Sequence, residues 1–220
     1  MMCLKQENNF SGINNIKQFF SLNKDKKQKS IQMIYNSICN NMISKFIFSV
    51  LSSEEYKSFG TPGLDQLFIN FCNAENKDKC SSSVNSEIMA EHDVSLRSNS
   101  FLAFPWRRDS LSDKFEKMAA DGFIWETDVN HTITLVKPFN IYYVNGGNHS
   151  IACGKFFNKE GIIKCETAID YTKILLEYDY DGEHFVNKKG EKINKPFHME
   201  LLNLFILGKA MVEMENDTSI

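Results

Sequence analysis

The run Ile141-Tyr142-Tyr143-Val144-Asn145-Gly146-Gly147-Asn148-His149-Ser150 limits the fold more than any other part of the chain. Ile141 to Val144 is dense in β-branched and aromatic residues and reads as a strand. The adjacent glycines allow a positive φ, and His149 to Phe157 then reads as a short helix. A strand that feeds a helix through such a loop needs a sheet with helices against it, so an α+β fold is expected. The first amides of that helix lack intrahelical partners. With the helix dipole they make a ready anion site, to which His149 adds a donor and Asn148 an amide. Asn-Gly-Gly-Asn is equally ordinary chemistry for a tight turn.

Around this loop the apolar residues alternate. Phe123 to Trp125 reads as a strand, Asp128 to Asn130 as a turn, and Thr132 to Val136 as a second strand that Pro138 breaks. Ile162 to Ala168, led in by Gly161, reads as another. Upstream the period is helical: Ile31, Ile34, Tyr35, Ile38, Met42, Phe46 and Val50 follow a Ser30 cap. Thr61-Pro62 reads as the start of a second helix, with Leu64, Leu67, Phe68 and Phe71 as its stripe. Asn73 to Asn85 is a polar link. Ser110 and Asp113 read as the capped start of a further helix ending near Asp121-Gly122. Asn194-Lys195-Pro196 introduces a C-terminal helix, buried through Leu201 to Leu207 and fraying from Glu213. The expected fold is α+β, with N-terminal helices packed on a mixed β-sheet module and a C-terminal helix. Residues 1–85 form the helical part and 86–220 the α+β module, as separate parts or as one continuous domain.

Composition is that of a globular chain, with 42% hydrophobic and 24% charged residues. A net charge of −3 argues against a protein that coats nucleic acid by bulk electrostatics. Lys24, Lys26, Lys27 and Lys29 read as a solvated loop. Ile31 to Leu51 contains Gln32, Asn36, Asn40, Asn41 and Lys45 and is too polar to span a bilayer. The six cysteines, Cys3, Cys39, Cys72, Cys80, Cys153 and Cys165, show neither a Cys-x-x-Cys nor a zinc spacing. Met1 to Glu7 has no apolar core of signal-peptide length. Free thiols and a cytoplasmic location are expected, with no metal and no resident cofactor.

Arg107 and Arg108 close the segment Phe101 to Arg108 and are candidates to meet a phosphate or an acidic partner. An edge segment that packs its aromatics and exposes its charges fits equally well. Asp179, Asp181 and Glu183 join two strand-like runs and are further partner-binding candidates. They faintly echo a calcium loop, but Gly190 stands where the closing glutamate belongs, so a hairpin turn with exposed acids is the better reading. Lys188-Lys189-Gly190 is a second turn. Cys153 lies one helical turn after His149 on the same face. It reads as a buried thiol in preference to a nucleophile, because no third orienting group is evident.

The segment Pro138 to Ala152 resembles the ParB- and sulfiredoxin-like group, where a hydrophobic strand precedes Gly-x-His-Arg, a helix with a small residue and another strand. The likeness runs from about Trp125 to Asp170. The chain is also similar to an uncharacterised bacterial family that carries Gly-Asn-His-Ser here. The resemblance implies that Gly147 and His149 hold nucleotide phosphates, with Gly146, Asn148 and Ser150 completing the loop. Ser150 stands in place of the group's arginine, which removes a permanently charged bidentate donor. Asn148 stands in place of the sulfiredoxin cysteine, which removes the sulfinic-acid repair chemistry.

The first expected function is a non-catalytic protein-binding module, an immunity or antitoxin protein that neutralises a nuclease-type toxin. The acids from Asp179 to Glu183 suit such a basic partner. The alternative is a ParB-like nucleotide-binding enzyme, a CTP or ATP hydrolase or a nuclease. It would hold a nucleotide with Mg²⁺ through Gly146 to His149, with Glu166, Asp170 or Asp128 as metal or base groups. Sequence-specific DNA binding is a weaker third reading, since no helix-turn-helix pattern is clear.

Overall fold

Ile141, Tyr142, Tyr143 and Val144 are all buried, because their strand is flanked on both edges and covered on both faces. The computed structural model describes residues 10–22, 27–53, 63–64, 67–69, 85–121 and 123–217. In chain order the elements are α1 (Phe10–Leu22), α2 (Lys27–Ser52), β1 (Asn85–Ser95), β2 (Ser100–Leu102) and α3 (Arg108–Ala119). They continue with β3 (Ile133–Lys137), β4 (Ile141–Val144), α4 (Asn148–Phe156), β5 (Ile162–Asp170) and α5 (Thr172–Glu177). The hairpin β6 (Tyr178–Tyr180) and β7 (Phe185–Asn187) and the long α6 (Met199–Asp217) complete the series. The fold is a mixed α+β structure.

The chain forms two compact units, each discontinuous in sequence. One comprises Gln32–Thr61 and Ser86–Ile169 and holds a five-stranded sheet in the order β1-β5-β3-β4-β2. β3 runs antiparallel to β4, with Ile133 opposite Val144, and β2 runs parallel to β4, with Ser100 opposite Ile141. From α2, Tyr35 packs edge-on against Phe139 at 5.7 Å and Phe46 against Phe104 at 5.0 Å. Gln32 and Asn36 fasten the same helix to the Ser100 hydroxyl. The other unit comprises Met1–Ile31, Pro62–Asn85 and Asp170–Ile220. Its core gathers Phe68, Tyr171, Phe185 and Phe205, and α6 packs on both α1 and α5.

Several local expectations are corrected. Phe123 to Trp125 is not a strand. Trp125 instead acts as a wedge, stacked on His131 at 4.8 Å and lying so close to Gly161 that a Cβ there would meet the indole at 2.5 Å. α3 begins at Arg108, so Ser110 lies inside it and does not cap it. Ser30 likewise lies within α2, which Lys27 and Lys29 begin instead of forming a loop. α6 continues past Glu213, because that carboxylate is held by Lys17 at 2.8 Å and by Lys209 at 3.2 Å. The expected helix start at Thr61-Pro62, its Phe71 and most of the polar link lie outside the described residues, although Leu67 and Phe68 are fully buried.

Candidate functional site

The parallel strands β2 and β4 each lead into a helix, and the starts of those helices meet at the carboxyl ends of the strands. In open sheets this is where ligands bind. At the end of β4 the amides of Asn145 and Gly146 both bond to the Thr132 carbonyl, at 2.9 and 3.1 Å. A Cβ on Gly146 would sit 2.4 Å from the Asn130 carbonyl, and one on Gly147 would sit 2.5 Å from Cδ2 of His131. Gly147 also has φ +77°, the left-handed conformation that L side chains resist, and it forms the N-cap of α4. The two glycines therefore press the loop against the Asn130–Thr132 segment, and Gly147 turns the chain into α4. That helix has no side-chain cap.

The polar side chains of the run are turned to the backbone. Asn148 is buried, its Nδ2 donates to the Val144 carbonyl at 3.1 Å, and its Oδ1 accepts the Phe104 amide at 2.6 Å. It fastens the chain after β2 to the end of β4. His149 accepts, at Nε2, the amides of Trp106 at 3.3 Å and Arg107 at 3.0 Å, and its ring lies 4.6 Å from that of Trp106. His149 thus holds the two residues that lead into α3, Trp106 and the N-cap Arg107. Burial foremost, then the charges of Arg107 and Lys114, push the His149 pKa down to about 4. The neutral ring accepts at Nε2, so its proton is at Nδ1. Ser150 is buried, and Cys153 is a buried free thiol whose pKa burial raises to about 12. Cys153 is the buried thiol that the sequence leads one to expect, and a protonated, desolvated sulfur is a poor attacking group.

Of the partner candidates, the structure brings Arg107 to His149, through both its amide and its charge, and leaves Arg107 and Arg108 exposed where α3 begins. Phe101 and Phe104 are fully buried behind them, the pattern of a segment that packs its aromatics and exposes its charges. Asp179, Asp181 and Glu183 belong to the other unit, on the β6–β7 hairpin, and each has an internal partner. Asp179 pairs with Lys209 at 3.1 Å, Asp181 with Lys192 at 3.7 Å, and Glu183 with Lys195 at 2.6 Å. Asp181 also accepts the amides of His184 and Glu183, which foremost depress its pKa. The Asp128 carboxylate accepts the Asn130 amide at 2.7 Å, and that of Asp170 accepts the Thr172 amide at 2.8 Å. Glu166 is exposed on β5. Among the described residues no three His, Cys, Asp or Glu side chains gather as a metal site, and no helix is long and apolar enough to cross a membrane.

Two residues that the sequence does not single out stand beside this loop. His131 is 8% exposed, and its Nδ1 accepts the Asp128 amide at 3.0 Å. Lys114, half-buried on α3, acts electrostatically on His131, His149 and Cys153. No curated protein and no solved structure matches the chain. Residues 4–218 match the family of unknown function DUF6710, and the chain belongs to that family.

Proposed function

We propose that the chain is a non-catalytic protein-binding module, an immunity or antitoxin protein that neutralises a basic, nuclease-type toxin in the cytoplasm. The observation that supports this most is the use of the loop's own side chains. Both ends of the Asn148 amide and Nε2 of His149 are engaged in holding backbone. A histidine kept neutral and already accepting two amides is a scaffold element, and the neighbouring thiol is protonated at neutral pH. The buried free thiols Cys39, Cys153 and Cys165 suit a reducing setting. Co-expression with the product of an adjacent gene is expected to yield a complex and to protect cells from that product. A chain that neither binds nor protects sinks the proposal.

A second reading, a ParB-like nucleotide-binding enzyme, draws support from the left-handed Gly147 cap and the side-chain-free start of α4. Its test is thermal unfolding with CTP, ATP and GTP in the presence of Mg²⁺. Occupancy at about a hundredfold excess over Kd adds about 2.7 kcal/mol of stability. An unchanged midpoint with every nucleotide removes this reading.

A further inference from the structure

We propose that the cleft between the Phe123–Thr127 and Phe157–Ile162 segments binds an apolar monocarboxylic acid, its body on the aromatic wall and its carboxylate on Lys159. The cleft lies past the C-terminal end of α4, away from the glycine loop, within the unit that holds the five-stranded sheet. It goes beyond the protein-binding reading and depends neither on that reading nor on the nucleotide one.

The cleft has a volume of about 790 Å³, within the range of about 300–1,000 Å³ that small-molecule sites occupy. Phe123, Trp125 and Phe157 give it aromatic walls. Ile124 and Ile162 belong to the same lining, and they are 78% and 47% exposed. The walls are braced from behind. Trp125 stacks on His131 at 4.8 Å, its Nε1–H donates to the Thr127 hydroxyl at 3.1 Å, and that hydroxyl donates to the Ile162 carbonyl. The indole reaches this position because residue 161 is a glycine, where a Cβ would meet the ring at 2.5 Å. Phe157 is held edge-on against Phe115 at 5.1 Å. Walls fixed in this way lose little freedom when a ligand arrives.

The charge of the cleft selects the ligand. Lys159 and Glu160 alone among its lining residues are charged, and Glu160 is already paired with Arg97. The Lys159 ammonium stands 5.4 Å from the centre of the Phe123 ring and 6.0 Å from that of Phe157. No hydrogen bond or ion pair engages it among the described residues. Its backbone is fixed: Asn158 turns the chain at φ +52°, and the Lys159 amide donates to the Gly154 carbonyl at 2.8 Å. Two rings thus steer one unanswered cation to the side of an apolar wall. A neutral apolar ligand would leave that cation without an anion. A phosphate dianion would give up its hydration against aromatic rings for a single donor. A carboxylate carried on an apolar body answers both the cation and the wall.

The test uses octanoate and 3-phenylpropanoate, with octan-1-ol as the neutral counterpart. Trp106 and Trp125 are the two tryptophans of the chain, so Trp106→Phe leaves Trp125 as the only indole reporter. In that background the full chain should show a saturable change in Trp125 fluorescence with both acids if chain and ring are accepted alike, or with one if the wall selects a shape. Lys159→Met is expected to weaken binding of the acid about tenfold while changing that of octan-1-ol by less than about twofold. Ile124→Asp changes a residue that is already exposed and sets a like charge in the lining; it should weaken the acid about fivefold or more. Ile88→Asp, exposed on β1 outside the cleft, should leave binding unchanged. No saturable change with either acid overturns the site. So does binding that Lys159→Met and Ile124→Asp leave as it was.

Discussion

His149 shows how one side chain can serve the fold and lend the chain an acid limit. Its Nε2 accepts two amides, and protonation would place an N–H against two N–H groups. The folded pKa is about 4, below the ordinary value of 6.5, so the unfolded chain takes up a proton in a range where the folded chain does not. Its contribution to stability is therefore complete above about pH 6.5 and is lost as the pH falls toward about 4. His131 shifts in the same direction, chiefly through burial and against the pull of Asp128. Carboxylates titrate nearby, so the informative quantity is the difference between wild type and His149→Gln. Across pH 6.5 to 4 the wild type should lose more stability in denaturant melts than the variant does. Parallel pH profiles would contradict the assignment.

Among the elements, α6 carries the clearest energetic claim. Lys209 is 4% exposed and donates to the carbonyls of Leu175 and Tyr178, both at 3.0 Å, at the end of α5. It also meets Asp179 at 3.1 Å and Glu213 at 3.2 Å, and Glu213 in turn holds Lys17 of α1. One ammonium thus ties α1, α5, β6 and α6. Lys209→Met keeps the bulk but leaves buried acceptors unanswered, a loss of about 3–5 kcal/mol in denaturant unfolding. A loss under about 1 kcal/mol would place the cluster with weak surface pairs. The elements readable in the sequence are those whose burial is regular. α2 announces itself through Tyr35, Met42, Phe46 and Val50, all buried, and β4 through four buried residues in a row. β1 does not, because it is an edge strand with Glu87, Ile88, Ala90, Glu91 and Asp93 all exposed, so no alternation marks it. Phe123 to Trp125 has strand-like composition, but a wedge against Gly161 overrides that propensity.

At the scale of the whole chain, the loop was legible and its surroundings were not. Gly146 to Ser150 is one continuous run, whereas Arg107, Lys114 and His131 reach it from α3 and from the segment before β3, a proximity that only tertiary folding creates. The same holds for the acids: Asp179, Asp181 and Glu183 look free in the sequence, but Lys209, Lys192 and Lys195 answer them. A basic partner would then meet the net charge of −3 more than any single acidic triad. Charge of that kind acts through long-range attraction, which salt screens over about 10 Å at 0.1 M. Complex formation with a basic toxin should therefore show an association rate that falls steeply between about 0.05 and about 0.5 M salt, with dissociation changing little. Asp179 is tied to the buried Lys209, so Glu183→Gln, at the exposed end of the hairpin, is the safer probe. It should slow association by less than about threefold if the whole-chain charge governs the encounter. An association rate indifferent to salt would mean that the partner is chosen by shape, and the basic-toxin reading would lose its physical ground.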